Sequence, residues 1–122
     1  MLTLKASHWR ALAILCIAVV WVLSLWPGLD LRPPHFPNAD KAEHFLSYTV
    51  VAWLLCRGWP RVFVLWIWLA AVSCGGAAEI GQALFTTTRH PDWWDMLANA
   101  LGAFTGVVAG RLTLHFFPGA PD

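Results

Sequence analysis

A chain of 122 residues that is 58% hydrophobic and only 12% charged is far from a soluble domain, in which about 25% of residues carry charge. The composition excludes an ordinary water-soluble fold and indicates one small integral membrane unit, and a formal net charge of +1 gives no basis for nucleic-acid binding. Cys16, Cys56 and Cys74 are odd in number and fall in apolar runs, so buried thiols are expected rather than a disulfide framework or a zinc site.

Hydropathy and helix breakers predict an all-α bundle of four transmembrane helices. The first span runs from about Trp9 to Trp26 and stops at Pro27-Gly28. Lys5 and Arg10 ahead of an apolar run resemble a signal peptide, but no small-x-small cleavage site follows, so the segment reads as a span. After the breaker-rich PGLDLRPPHFPN, Asp40 is the expected N-cap of a second span from about Lys41 to Cys56, with Glu43 completing a box-like start. The turn RGWPR leads to a third span from about Val62 to Phe85. TTTRHPDWW then leads, through Pro91 and Asp92, to a fourth span that ends near Phe117.

Basic residues predict the orientation. With alternating spans, Lys5, Arg10, Arg57, Arg61 and Arg111 share one side, whereas Arg32, Lys41 and Arg89 lie on the other. The richer side is expected to be cytoplasmic, which puts both termini inside. Asp30, Asp40, Glu43, Glu79, Asp92 and Asp95 then all lie toward the outer half.

An ionisable group within a span costs roughly 2.5–3.5 kcal/mol on insertion scales at the helix centre, so each one needs a reason. At about 1.5 Å rise per residue, His44 lies roughly 6 Å beyond Asp40, Glu79 roughly 9 Å before Phe85 and Asn99 roughly 7 Å beyond Trp94. These matching depths predict one outer-leaflet pocket that collects His44, Tyr48, Glu79, Gln82, Asp95 and Asn99. Spacing agrees: Lys41, His44 and Tyr48 share a face of the second span, and Glu79 and Gln82 share one of the third. On the fourth span Asp95, Asn99, Gly102, Gly106 and Gly110 form a single stripe. Its glycines make a doubled GxxxG packing surface. Ala71 and Gly75 continue the Glu79 face, so the third span is the expected partner of that groove.

The segment DKAEHFLSY, followed by Glu79-Ile-Gly-Gln82, Arg89, Asp92, Asp95, Asn99, Gly102 and Gly106, resembles the VanZ-like family of small bacterial membrane proteins. The resemblance covers residues 40–110 of what reads as a single domain, 1–122. It implies a multi-helix fold in the bacterial cytoplasmic (inner) membrane and, from the founding member, a link to reduced sensitivity to teicoplanin-type glycopeptides. It assigns no catalytic residue.

Three functional classes remain, the first being what the resemblance implies. The first is a non-catalytic envelope protein whose pocket binds a membrane lipid or a lipid-linked cell-wall precursor headgroup through Asp40, Lys41, His44, Tyr48, Glu79, Gln82, Arg89, Asp92, Asp95 and Asn99. The second is a membrane enzyme acting on an anionic headgroup, with His44, Glu79 or Asp95 as acid or base and Lys41 and Arg89 on phosphate. Ser47, Thr86, Thr87 and Thr88 lack an activating motif, which weakens that reading. The third, a proton relay or transporter, lacks a polar path beyond Asn99, where the fourth span offers only small and apolar side chains. No cofactor is expected. One histidine with several carboxylates forms neither HxxxH nor ExxH, so no metal is expected either. Against every functional role stands a structural one: Glu79 tying helices together through Gln82, Lys41 or Arg89, His44 and Tyr48 as a polar span start, and Arg89, Trp93 and Trp94 as interfacial anchors. The first class is the expected function.

Overall fold

The computed structural model describes residues 3–26, 37–86, 90 and 92–120. Among them the regular structure is four helices: α1 (Ala6–Leu25), α2 (Ala39–Gly58), α3 (Val64–Phe85) and α4 (Trp93–Phe116). An isolated parallel bridge between Lys5 and Ala120 joins the two ends of the described chain. Contacts such as Arg10 with Gly58 and Gln82 with Ser24 fix an up-down-up-down arrangement, in which the ends of α1 and α3 meet the starts of α2 and α4.

Helix boundaries follow local chemistry. Asp92 caps α4, its carboxylate accepting from the Trp94 amide at 2.9 Å. The start of α2 differs from the sequence expectation. Its N-cap is Asn38, in the left-handed region at φ 59°, and Asp40 lies inside the first turn. Asparagine tolerates that conformation, and the Asp40 carboxylate meets the Lys41 ammonium at 3.1 Å.

α1, α3 and α4 are long and apolar enough to cross a membrane. α2 has a similar length of 20 residues but carries Asp40, Lys41, Glu43, His44 and Arg57. It packs against all three other helices. Tyr48, Val51, Ala52, Leu54, Leu55 and Cys56 of α2 are buried, whereas α1 buries only Ala13. Many large apolar side chains on the other helices are exposed, as at Leu15, Leu84, Phe104 and Phe116. This inversion of the soluble pattern fits a hydrocarbon surround.

The main seam joins α2 to α4. A Cβ on Gly102 or Gly106 would run into the carbonyl oxygens of Phe45 and Thr49, and one on Gly110 would meet Cys56. Bare backbone on α4 therefore lets α2 lie against it at close range. Thr49 Oγ1 donates across the seam to Gly102 O at 3.0 Å, and Trp53 Nε1 donates to Thr113 Oγ1 at 3.0 Å. The partner of the glycine ladder is thus α2 and not α3, as the sequence spacing had suggested. Gly75 on α3 does face the α4 stripe, but at Asn99: it leaves room for that amide, whose nitrogen would sit 2.7 Å from an added Cβ.

At the end where the chain begins, arginines satisfy helix C-termini. Buried Arg57 donates to Thr113 O and Phe117 O at 3.2 and 2.9 Å and stacks 4.7 Å from the Trp9 ring centroid. Arg10 donates to Gly58 O at 2.9 Å, and Arg111 to the Pro60 and Val62 carbonyls. A guanidinium at a helix C-terminus both fills orphan acceptors and opposes the dipole.

Candidate functional site

The opposite end is built from the first turns of α2 and α4 and the last turns of α3. Lys41 lies among three carboxylates, with Asp40 Oδ2 at 3.1 Å, Asp92 Oδ2 at 3.3 Å and Asp95 Oδ1 at 3.5 Å. One helical turn deeper, His44 sits between an amide and two acids. Its Nδ1 is 3.0 Å from Asn99 Oδ1, and its Nε2 is 3.5 Å from Glu79 Oε1 and 3.7 Å from Asp95 Oδ2. Asp95 links the two groups, with one oxygen toward Lys41 and the other toward His44.

Burial separates the layers. Asn99 is fully buried and Glu79 is 4% exposed, whereas the Lys41 side chain is 31% exposed. The outer layer is wet enough to be an ordinary ion-pair network, and such exposed pairs contribute at most about 1 kcal/mol. The inner layer holds charge in a drier place, where orientation matters more.

The structure brings His44, Glu79, Asp95 and Asn99 together, with Asp40, Lys41 and Asp92 beside them. Tyr48 lies one turn deeper than His44, 2% exposed. Its hydroxyl has no hydrogen-bond partner among the described residues. Tyr48 and His44 line a small cavity of about 40 Å³ with Ser24 and Ser47, which is room for a water molecule. Gln82 goes elsewhere: its amide donates to Ser24 O at 2.9 Å and ties α3 to the end of α1. Arg89, Thr87 and Thr88 lie outside the described residues. Gly102, Gly106 and Gly110 form the seam and do not reach the site.

A second feature was not read from the sequence. Between α3 and α4 a cavity of about 360 Å³ is lined by Gly76, Ile80, Leu84 and Met96, with Glu79 and Asp92 also in its wall. Its apolar side chains looked like ordinary span residues. Gly76 and Ala83 leave the room on this side of α3, but small residues recur along the helix, as at Ala70, Ala71, Gly75, Ala77, Ala78 and Gly81, so these two did not stand out.

Chemically, Asn99 Oδ1 can only accept, so His44 Nδ1 carries the hydrogen and Nε2 is the atom turned to the acids. Two threonine hydroxyls are committed to backbone. Thr49 donates to Phe45 O at 2.7 Å and Thr86 to Gln82 O at 2.6 Å. Neither is positioned by His44 as an activated nucleophile.

No family model, curated protein or solved structure matches this chain.

Proposed function

We propose that this chain is a four-span protein of the bacterial cytoplasmic membrane, with both termini cytoplasmic, that binds the headgroup of a membrane lipid or lipid-linked cell-wall precursor at its acidic end. The observation that carries the reading is the α3/α4 cavity, whose apolar walls run to Glu79 and Asp92 beside the His44 cluster. An apolar groove ending in convergent polar groups has the shape of an amphiphile's site: the chain fits the groove and the headgroup meets the carboxylates and imidazole. The resemblance of residues 40–110 to the VanZ-like family supports the same reading and supplies the link to teicoplanin-type glycopeptides.

The described side chains favour headgroup hydroxyls or amines as the direct contacts. Lys41, the described cation nearest the cluster, is already shared among Asp40, Asp92 and Asp95. Binding is favoured over group transfer because no hydroxyl among the described residues hydrogen-bonds to His44, whose ring meets Asn99, Glu79 and Asp95.

Native mass spectrometry of protein extracted in mild detergent tests the proposal. Wild type should carry a lipid adduct that Glu79→Gln, His44→Ala and Asp95→Asn each reduce at least tenfold while the protein stays monodisperse. Equal lipid retention in all three variants would remove the site from the proposal. Orientation is tested by thiol labelling of Arg89→Cys and Trp59→Cys in a cysteine-free background. Position 89 should react from outside and position 59 from the cytoplasm, and the reverse pattern would overturn the topology.

A further inference from the structure

We propose that His44 Nε2, Glu79 Oε1 and Asp95 Oδ2 form a three-ligand site for a divalent transition-metal ion. The inference stands on side-chain geometry and not on the lipid reading. The sequence offered no paired-ligand motif, because the three groups come from three helices, α2, α3 and α4.

Distance is the first argument. Around a tetrahedral ion with bonds of about 2.0–2.2 Å, ligand atoms lie about 3.3–3.6 Å from one another. His44 Nε2 lies 3.5 Å from Glu79 Oε1 and 3.7 Å from Asp95 Oδ2. These separations exceed a good charge-assisted hydrogen bond, which closes to about 2.7–2.9 Å. All three ligand atoms fall within 4.8 Å of one another.

Orientation is the second argument, and it is independent of the first. The fully buried Asn99 amide accepts from His44 Nδ1 at 3.0 Å and so turns the Nε2 atom toward the two carboxylates. An acceptor on the far nitrogen of a ligating histidine fixes its tautomer and ring plane and raises its basicity. Gly75 on α3 is part of the same device, because a side chain there would collide with the Asn99 amide nitrogen. An imidazole nitrogen with two carboxylates suits Zn²⁺, Mn²⁺ or Fe²⁺.

The parallel acidic triad, Asp40, Asp92 and Asp95, also brings its oxygens within 4.8 Å. Lys41 already sits among those three carboxylates and offsets part of their charge. In the deeper triad the histidine replaces a carboxylate, which makes the donor set suited to a transition metal. Of the three ligands, Glu79 also lines the α3/α4 cavity.

The test uses detergent-purified full-length protein, stripped with a chelator and then exchanged. Mn²⁺ added to the wild type should bind at one ion per chain, and pulsed electron paramagnetic resonance should detect coupling to one directly bound imidazole nitrogen. Titration with Zn²⁺ should also give one site, which Glu79→Gln and His44→Ala weaken at least 100-fold. Asn99→Ala should weaken it by about 10–100-fold, as loss of an orienting partner does. His115→Ala, at the other end of the bundle, should leave the affinity within twofold. The proposal is overturned by absence of the nitrogen coupling in wild-type protein, by equal affinity in wild type and Glu79→Gln, or by loss of binding in His115→Ala. The nitrogen coupling is read on the unaltered protein, so a variant that fails to fold leaves the test intact.

Discussion

The two ends of the bundle handle charge in opposite ways. At the end that holds the start of α1, Arg10, Arg57 and Arg111 donate to backbone carbonyls at the ends of α2 and α4 and in the turn after α2. At the other end, the ionisable side chains meet one another. Lys41 faces three carboxylates, and His44 faces two carboxylates and an amide. Asp92 also serves the backbone, as the cap of α4. Charge spent on carbonyls closes helix ends and secures the fold, whereas charge arranged around an imidazole can act on a third party.

That contrast can be broken or sharpened by substitution, and the largest effect should come from the seam that connects both ends. Gly106→Leu must displace α2, because even a Cβ collides with the Thr49 carbonyl and Ala52. Overpacking of this kind costs about 1–3 kcal/mol where side chains can shift, and here the obstacle is backbone. The expected result is loss of the monodisperse species on size exclusion.

Next in size is Arg57→Ala. It strips partners from the Thr113 and Phe117 carbonyls and leaves Trp9 without its stacked cation. Each hydrogen bond from a charged donor contributes about 1.5–3 kcal/mol, so a clear fall in Tm is expected, with lipid and metal binding retained in the folded fraction. Glu79→Gln should do the reverse, changing Tm by less than Arg57→Ala while removing bound lipid. If both variants lower Tm alike and both keep their ligands, the division of labour between the ends is wrong. The smallest effect belongs to Lys41→Gln. Its partially exposed pairs contribute about 0–1 kcal/mol, so Tm should hardly move, but relieving Asp95 of the ammonium should tighten Mn²⁺ binding severalfold in the titration.

Much of this was legible in the sequence, for identifiable reasons. Helix rise is fixed, so the depths of His44, Glu79 and Asn99 could be matched by counting residues, and the His44–Asn99 and His44–Glu79 contacts follow. Spacing of four, three, four and four put Asp95, Asn99, Gly102, Gly106 and Gly110 on one face, and all five are buried. Spacing does not reveal which neighbour a face meets. The glycine ladder packs on α2, and Gln82, one turn from Glu79, reaches Ser24 on α1. Arg57 read as a turn charge useful for orientation, but it is buried in the last turn of α2, because its acceptors come from a helix end far away in sequence. Asp40 had the residue type of an N-cap, but it lies inside the first turn, where its carboxylate meets Lys41.

The most direct test of the account is native mass spectrometry of Glu79→Gln and Arg57→Ala side by side with wild type, with Tm measured on the same preparations. The account requires Glu79→Gln to lose the lipid adduct and stay folded, and Arg57→Ala to keep the adduct and lose thermal stability. Retention of the adduct by folded Glu79→Gln, or its loss from folded Arg57→Ala alone, would contradict the placement of binding at the acidic end.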